Sequence, residues 1–337
     1  MNFARFAAIV LLGAAPPAPA APPPLHAVSG RTMGTTWSVK WCGAPDDTNG
    51  VARAAGDVVG RLDALLSTYD AQSEISRFNR SPGSEFFPVA PETAGVFAAA
   101  LQAARATDGA FDPTVFPLVQ LWGFGPQREL TAPPTPTAIE TARRRVGHQH
   151  LLVRPDPPAL RKLRDISVDL SGIAKGYAVD AVVARLESLG IHHCLVDIGG
   201  ELKARGHSPQ GRPWRVGIER PAPDARQIER VVALSDCAIA TSGGYRNFHE
   251  LAGRRFAHII DPRTGWPVTN HVASVSVVHP SATQADALAT SLVVLGADEG
   301  MKLAGRHGWA VRFVLHHNGG YDERTTAEFD RVVVVEK

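Results

Sequence analysis

Charge is scarce in this chain and evenly split. Only 20% of its 337 residues are Asp, Glu, Lys or Arg, below the roughly 25% of an average globular protein. The 35 Lys and Arg face 33 Asp and Glu, and no run of like charge occurs. That balance gives no electrostatic footprint for a nucleic-acid partner. Cysteine is nearly absent. Cys42, Cys194 and Cys237 are odd in number and lack paired spacing, so at most one disulfide can form and three buried free thiols are expected. No P-loop, H-E-x-x-H or C-x-x-C is present, and the 13 histidines form no zinc spacing. Gly123-Phe124-Gly125 lacks the third glycine and the preceding strand of a dinucleotide fingerprint. Nor does an internal repeat appear. What remains is a loop-rich globular chain, with 31 Gly and 26 Pro, long enough for a large core.

No long hydrophobic run is present either. Phe6 to Ala15 is apolar but ends at Pro16, Pro17 and Pro19, well short of the ~20 residues a spanning helix needs. Arg5 precedes it and Ala18-Pro19-Ala20 follows. A basic start, an apolar run and an A-x-A site predict a secretory signal over 1–20. Residues 21–29, with Pro22-Pro23-Pro24, read as a stiff tether, and 30–337 as a single catalytic domain. No cysteine lies near the cleavage site, so an exported protein without a lipid anchor is expected.

Along the body, Thr35 to Trp41 alternates as a strand, and Val51 to Leu66 carries an apolar stripe at helical spacing. Ser67 to Pro82 is polar. A second helix is expected around Val96–Ala104, and Thr137-Ala138-Ile139-Glu140 reads as a capping box. Strands are expected at 151–154 and 166–170, then a helix from about Ile173 to Leu189. Beyond 190 the chain looks mostly extended, at 194–198, 214–219, 230–234, 256–260 and 272–278. A helix capped at Ser281 to Gln284 and strands at 309–315 and 331–335 close it. Helices alternate with groups of strands, which predicts an α+β fold with largely antiparallel or mixed sheets.

Three stretches carry candidate chemistry. Asp169 to Tyr177 places a strand end, Gly172, Gly176 and Lys175 at the start of a helix. Free amides and a lysine there suit phosphate oxygens, although a capping Asp169 or Ser171 beside a solvated lysine has the same sequence. Asp286 and Thr290 stand i, i+4 on one helix face. Both offer hard oxygen to Mg²⁺, which commonly takes one or two carboxylates and completes its shell with water and substrate phosphate. His258 precedes an Asp261-Pro262 turn, and an imidazole suits proton abstraction near neutral pH.

Taken in order, these segments resemble the ApbE family, the FAD:protein FMN transferases. The likeness runs through Met33-Gly34-Thr35, Ser67-Thr68-Tyr69, Gly109 to Thr114, Val168 to Asp180, Asp197 to Glu201, Thr241-Ser242-Gly243, His258 to Gly265 and Ala285 to Thr290. It implies FAD as substrate, Mg²⁺ as cofactor and FMN transfer to a Ser or Thr hydroxyl of a target protein, with AMP released. It also implies flavin-nucleotide contacts by Met33, Tyr69, Ala110, Phe111, Asp112, Asp169, Lys175 and Ile259. The metal would sit near the Gly172 backbone oxygen, with Asp286 and Thr290 as side-chain ligands; Ala289 stands where some members carry a further acid. Its place beside the turn makes His258 the candidate base. Acceptors with an Asp-Gly-x-Ser/Thr-Gly motif, such as membrane redox-complex subunits, and work at the periplasmic face of the bacterial inner membrane are further implications. Two other readings share these residues: an FAD pyrophosphatase and a flavin carrier without chemistry. Asp286, Thr290 and Lys175 weigh against a carrier, because flavin capture needs no magnesium.

Overall fold

The computed structural model describes residues 22–126, 130–221, 227–244, 247–251, 253–317 and 319–333; the expected signal at 1–20 lies outside them. Strand pairing begins sooner than the proline-rich stretch predicts. β1 (Leu25–Thr32) pairs along its whole length with β2 (Thr35–Cys42), so the expected tether over 21–29 ends at Leu25 rather than at 29. α1 (Thr48–Leu66) follows, capped by Asp47, whose side chain accepts the Gly50 N–H. Its stripe of Val51, Ala55, Val59, Leu62 and Leu66 is buried, and each such Val or Leu stabilises by roughly 1.5–3 kcal/mol.

The polar stretch 67–82 hides a short helix, α2 (Glu74–Arg80), capped by Ser73 and anchored by buried Ile75 and Phe78. The two-residue β3 (Phe87–Pro88), α3 (Pro91–Ala106), α4 (Phe116–Leu121) and α5 (Pro136–Arg143) come next. α5 is capped by Thr135 with Pro136 in its first turn, two residues before the expected capping box. β4 (Leu151–Pro155) and β5 (Pro158–Lys162) form a hairpin that β3 extends. Then come α6 (Ala174–Ser188), β6 (Cys194–Ile198), β7 (Glu201–Arg205) and the hairpin of β8 (Trp214–Glu219) and β9 (Ile228–Leu234). β10 (Ala238–Ser242), the hairpin of β11 (Phe248–Leu251) and β12 (Arg254–Ala257), β13 (Val272–His279), α7 (Ala282–His307), β14 (Ala310–His317), β15 (Gly320–Thr325) and α8 (Ala327–Asp330) complete the chain.

The central sheet runs β1-β2-β6-β7-β10-β13-β14-β15, and every neighbouring pair in it is antiparallel. The α+β class with antiparallel sheets is therefore correct. Alternation along the strands gives the sheet two apolar faces. Val39, Trp41, Val196 and Ile198 pack with α1 and α6, and Val275, Val277, Val311 and Phe313 pack with α7. On the opposite face Ala204, Ile239 and Val278 meet Trp214, Val216 and Val232 of the β8–β9 hairpin. Cys42 and Cys194 are buried, Cys237 is half-buried, and all three are free. Burial pushes the Cys194 thiol up to about 12, so it is no nucleophile.

Among the described residues two expected strands are reduced to single bridges. Over 166–170 the chain makes a single bridge, Val115 to Ser167, because a side chain takes the place of a neighbouring strand. Asn79 Nδ2 donates to the Val168 carbonyl at 2.9 Å and Asn79 Oδ1 accepts the Val168 N–H at 2.7 Å. At 331–335 the chain leaves α8 and makes one bridge, Val333 to Val232, with 334–337 outside the described residues. The extended segment expected at 256–260 ends earlier, at Ala257, which puts His258 on a loop.

Candidate active site

One cavity of ≈ 350 Å³ lies between the end of β10, the first turn of α6 and the first turns of α7. Tyr69, Ala110, Phe111, Asp112, Asp169, Gly172, Lys175, His258, Ile259, Asp286 and Thr290 all line it. Met33 stands apart, in an adjoining cavity of ≈ 640 Å³ that shares Tyr69, Ser171 and Lys175 with the first. Both volumes suit a small-molecule site. Tyr69 is 67% exposed and donates its hydroxyl to the Phe124 carbonyl at 2.9 Å, bridging the rim where the two cavities meet.

The α6–α7 contact sets the floor of the site. A Cβ at Gly176 would lie 2.2 Å from the Ala282 carbonyl oxygen and 2.8 Å from Asp286 Cβ, so only glycine admits this approach. The same closeness lets the Gly176 N–H donate to Asp286 Oδ2 at 3.0 Å. No side chain caps α6. Asp169 instead accepts the Ser171 N–H at 2.6 Å, against the expectation that Asp169 or Ser171 caps that helix. A second carboxylate fixes α7. Asp180 accepts from Ser281 Oγ, from the Ala282 and Thr283 amides and from Thr283 Oγ1, and pairs with Lys203 Nζ of β7 at 2.7 Å.

Asp286 is buried, while Thr290 Oγ1 lies 3.1 Å from Ser242 Oγ. An added Cβ at Gly172 would sit 3.2 Å from Thr290 Oγ1, so the backbone of Gly172 abuts that hydroxyl. The Asp286 carboxylate and the Thr290 hydroxyl are hard oxygens of the kind Mg²⁺ takes, and the Gly172 backbone lies beside the second of them. Among the described residues no group of three or more His, Cys, Asp or Glu could hold a metal. An ion held by so few side-chain oxygens would have to take the rest of its shell from water and phosphate.

Lys175 is not the solvated lysine its sequence allowed. Its Nζ lies 2.6 Å from Glu201 Oε1 of β7. Burial alone would lower its pKa, but the nearby Asp286 and Glu201 charges outweigh that and raise it. Burial raises the carboxyls of Glu201 and Asp286, with Lys175 opposing in both cases. Asp169 is raised by burial too, against its bond from Ser171. Asp112 lines the wall with its oxygens already engaged: Oδ1 accepts from the Thr114 N–H and hydroxyl, and Oδ2 accepts the His148 N–H. It braces the cavity through those bonds.

His258 Nδ1 lies 3.0 Å from the Asn247 carbonyl. A carbonyl only accepts, so Nδ1 carries the proton and Nε2 keeps its lone pair. Burial holds the ring's pKa below its ordinary value, and the Asn247 bond only partly offsets this. Sequence reasoning assigned no role to Glu201, Ser242 or Asn247. The first two sit in segments matched to the family; Asn247 carries no motif, and only the fold brings its carbonyl to the imidazole.

Asn79 supports this site from behind. It holds Val168, next to Asp169, whose own N–H bonds to the Pro113 carbonyl at 2.8 Å. Asn79→Ala leaves two buried backbone groups unpaired, each at a cost of about 1–3 kcal/mol. A thermal melt should fall accordingly, and an unchanged midpoint would contradict the bracing.

The ApbE family model matches residues 33–313. The chain belongs to the ApbE family. The FAD:protein FMN transferase of Salmonella typhimurium is 39% identical over 339 aligned positions, covering 98% of this chain and 96% of the relative. The Escherichia coli K12 protein of the same name is 38% identical, covering 92% and 90%. Among solved structures, the flavin transferase ApbE of Vibrio cholerae superposes with a TM-score of 0.84 at 38% identity, covering 92% of this chain and all of that one. The apo flavinyl transferase ApbE of Pseudomonas stutzeri gives 0.84 at 40%, covering 92% and 97%. The ApbE architecture thus extends over almost the whole chain.

Proposed function

We infer that this chain is an enzyme that transfers FMN from FAD to an acceptor protein, and we propose that the acceptor atom is a Ser or Thr hydroxyl and that Mg²⁺ is required. One observation carries the reading. A hard-oxygen pair of side chains, a half-buried lysine and an imidazole with a free Nε2 line the same cavity, which is what phosphoryl-type transfer from a pyrophosphate demands.

FAD is the substrate. Lys175 and the amides at the start of α6 would meet its pyrophosphate, with Asp169, Ala110, Phe111, Asp112 and Ile259 walling the reacting portion and Met33 and Tyr69 the adjoining cavity. Gly172, Asp286 and Thr290 would hold Mg²⁺, which supplies charge neutralisation at the pyrophosphate oxygens. The acceptor hydroxyl oxygen forms a bond to the FMN-side phosphorus, and the bond from that phosphorus to the AMP oxygen breaks. His258 Nε2 takes the hydroxyl proton, and AMP leaves with the bonding electron pair. The remaining task of the protein is to position the groups and exclude water.

We further propose that the chain is exported to the periplasmic face of the bacterial inner membrane and acts on membrane redox-complex subunits. Support comes from the basic start, apolar run and A-x-A site at residues 1–20. The test is incubation with FAD, Mg²⁺ and an acceptor bearing an Asp-Gly-x-Ser/Thr-Gly motif. Intact mass should rise by one FMN on the motif hydroxyl, and AMP should appear in equal amount. Release of free FMN without an adduct would instead mean hydrolysis.

A further inference from the structure

Lys175 is the only Lys or Arg among the described residues lining the reaction cavity. Two carboxylates act on its charge, Asp286 first and then Glu201. The ion-pair contact is with Glu201, at 2.6 Å; Asp286 turns Oδ2 to the Gly176 N–H instead. The β6–β7 hairpin is shaped to hold the lysine there. Gly199 has φ +65° and Gly200 φ +101°, and the turn is tied by Gly199 N–H to the Thr36 carbonyl and Gly200 N–H to Asp197 Oδ1. A Cβ on Gly199 would come within 3.3 Å of Lys175 Cδ and 2.9 Å of Thr35 Cγ2, so the bare turn leaves a slot for the lysine stem.

Stability does not account for this pair. Glu201 is 3% exposed, and its Oε2 is buried without a hydrogen-bond partner. Burying an ion pair with an oxygen left over is at best neutral for folding. Its value lies in where it puts the lysine. In a pocket of low dielectric, an ammonium with a single carboxylate in reach closes onto it. Without Glu201, that carboxylate is Asp286.

We propose that Glu201 is a positioning residue that holds the Lys175 ammonium off Asp286, leaving that carboxylate free for a divalent cation. The inference rests on the cation reading given under Proposed function. With Glu201 present the trio holds one more acid than base, a complement for a divalent ion; without it, lysine and aspartate satisfy each other.

The test is Mn²⁺ binding without FAD, followed by electron paramagnetic resonance of the free ion. Glu201→Gln should weaken binding about 10- to 100-fold, the usual effect of losing a group that orients a metal ligand. Removing the lysine as well, in Lys175→Met/Glu201→Gln, should restore binding, because nothing is then left to close onto Asp286. A merely structural role for Glu201 predicts no such rescue. Glu201→Gln binding as tightly as wild type, or a double variant as weak as the single one, overturns the proposal. Should Glu201→Gln fail to fold, Lys175→Met alone decides: it must bind Mn²⁺ at least as tightly as wild type, and weaker binding overturns the inference. Absence of Mn²⁺ binding in the wild type overturns the cation reading itself, a distinct result.

Discussion

Asp286→Asn is expected to slow FMN transfer about a thousandfold at saturating FAD and Mg²⁺, while the thermal midpoint stays close to wild type. Asparagine keeps an oxygen for the Gly176 N–H, which lies 3.0 Å from Asp286 Oδ2, so the α6–α7 contact survives. What it removes is the anionic charge that draws the cation. A metal ion stabilises the transition state of such a reaction by several kcal/mol, and each ~1.4 kcal/mol is a factor of ten in rate. Alanine is the less informative change, since it also orphans a buried amide at about 1–3 kcal/mol. The check is a time course of acceptor mass across a Mg²⁺ titration. Turnover equal to wild type at every Mg²⁺ concentration would remove Asp286 from the site.

The second large effect belongs to His258. His258→Ala should lower the transfer rate about 10²- to 10⁴-fold, the range for a positioned general base, with little change in FAD affinity. The wild-type pH profile carries a sharper signature. Burial depresses the imidazole below its ordinary 6.5, and the neutral ring is the working form. The rate should therefore hold as pH falls through 6.5 and drop only at the lower value, where the ring takes a proton. The unfolded chain binds that proton at higher pH than the folded one, so this group also makes stability rise with pH across the same window. A rate that falls with an unshifted midpoint, or an Ala variant of normal turnover, would assign proton removal elsewhere.

Local signals announced the parts of this site that depend on one helix. Asp286 and Thr290 are neighbours by helical spacing alone, and Ser281, with its side chain on the Gln284 N–H, marks where that helix starts. The antiparallel class followed from strands arriving in short groups. Relations between distant segments could not be read in this way. Val168 looks like a strand residue and has the bonds of one, but they go to an asparagine 89 positions earlier. The helix at 74–80 is short and mostly polar on its exposed side, so no long periodic stripe betrays it. Glu201 was visible inside its glycine turn, yet nothing local to that turn says that Lys175 lies across from it. His258 was found by its neighbouring Asp-Pro turn, while the carbonyl that fixes its tautomer came from Asn247.

Asp180 joins three elements at one carboxylate: α6 through its own backbone, α7 through Ser281, Ala282 and Thr283, and β7 through Lys203. Those elements carry Lys175, Asp286 with Thr290, and Glu201. A fluctuation that frees any one of them must break the knot that holds the others, so the groups facing the pyrophosphate open and close as one cooperative unit. In hydrogen-exchange terms, the Gly176 amide and the first amides of α7 should share a single opening free energy, and distinct values would show that the knot opens piecemeal. Lys175, Asp286 and Glu201 are thus expected to be presented together or not at all, while His258, on its own loop, answers to Asn247.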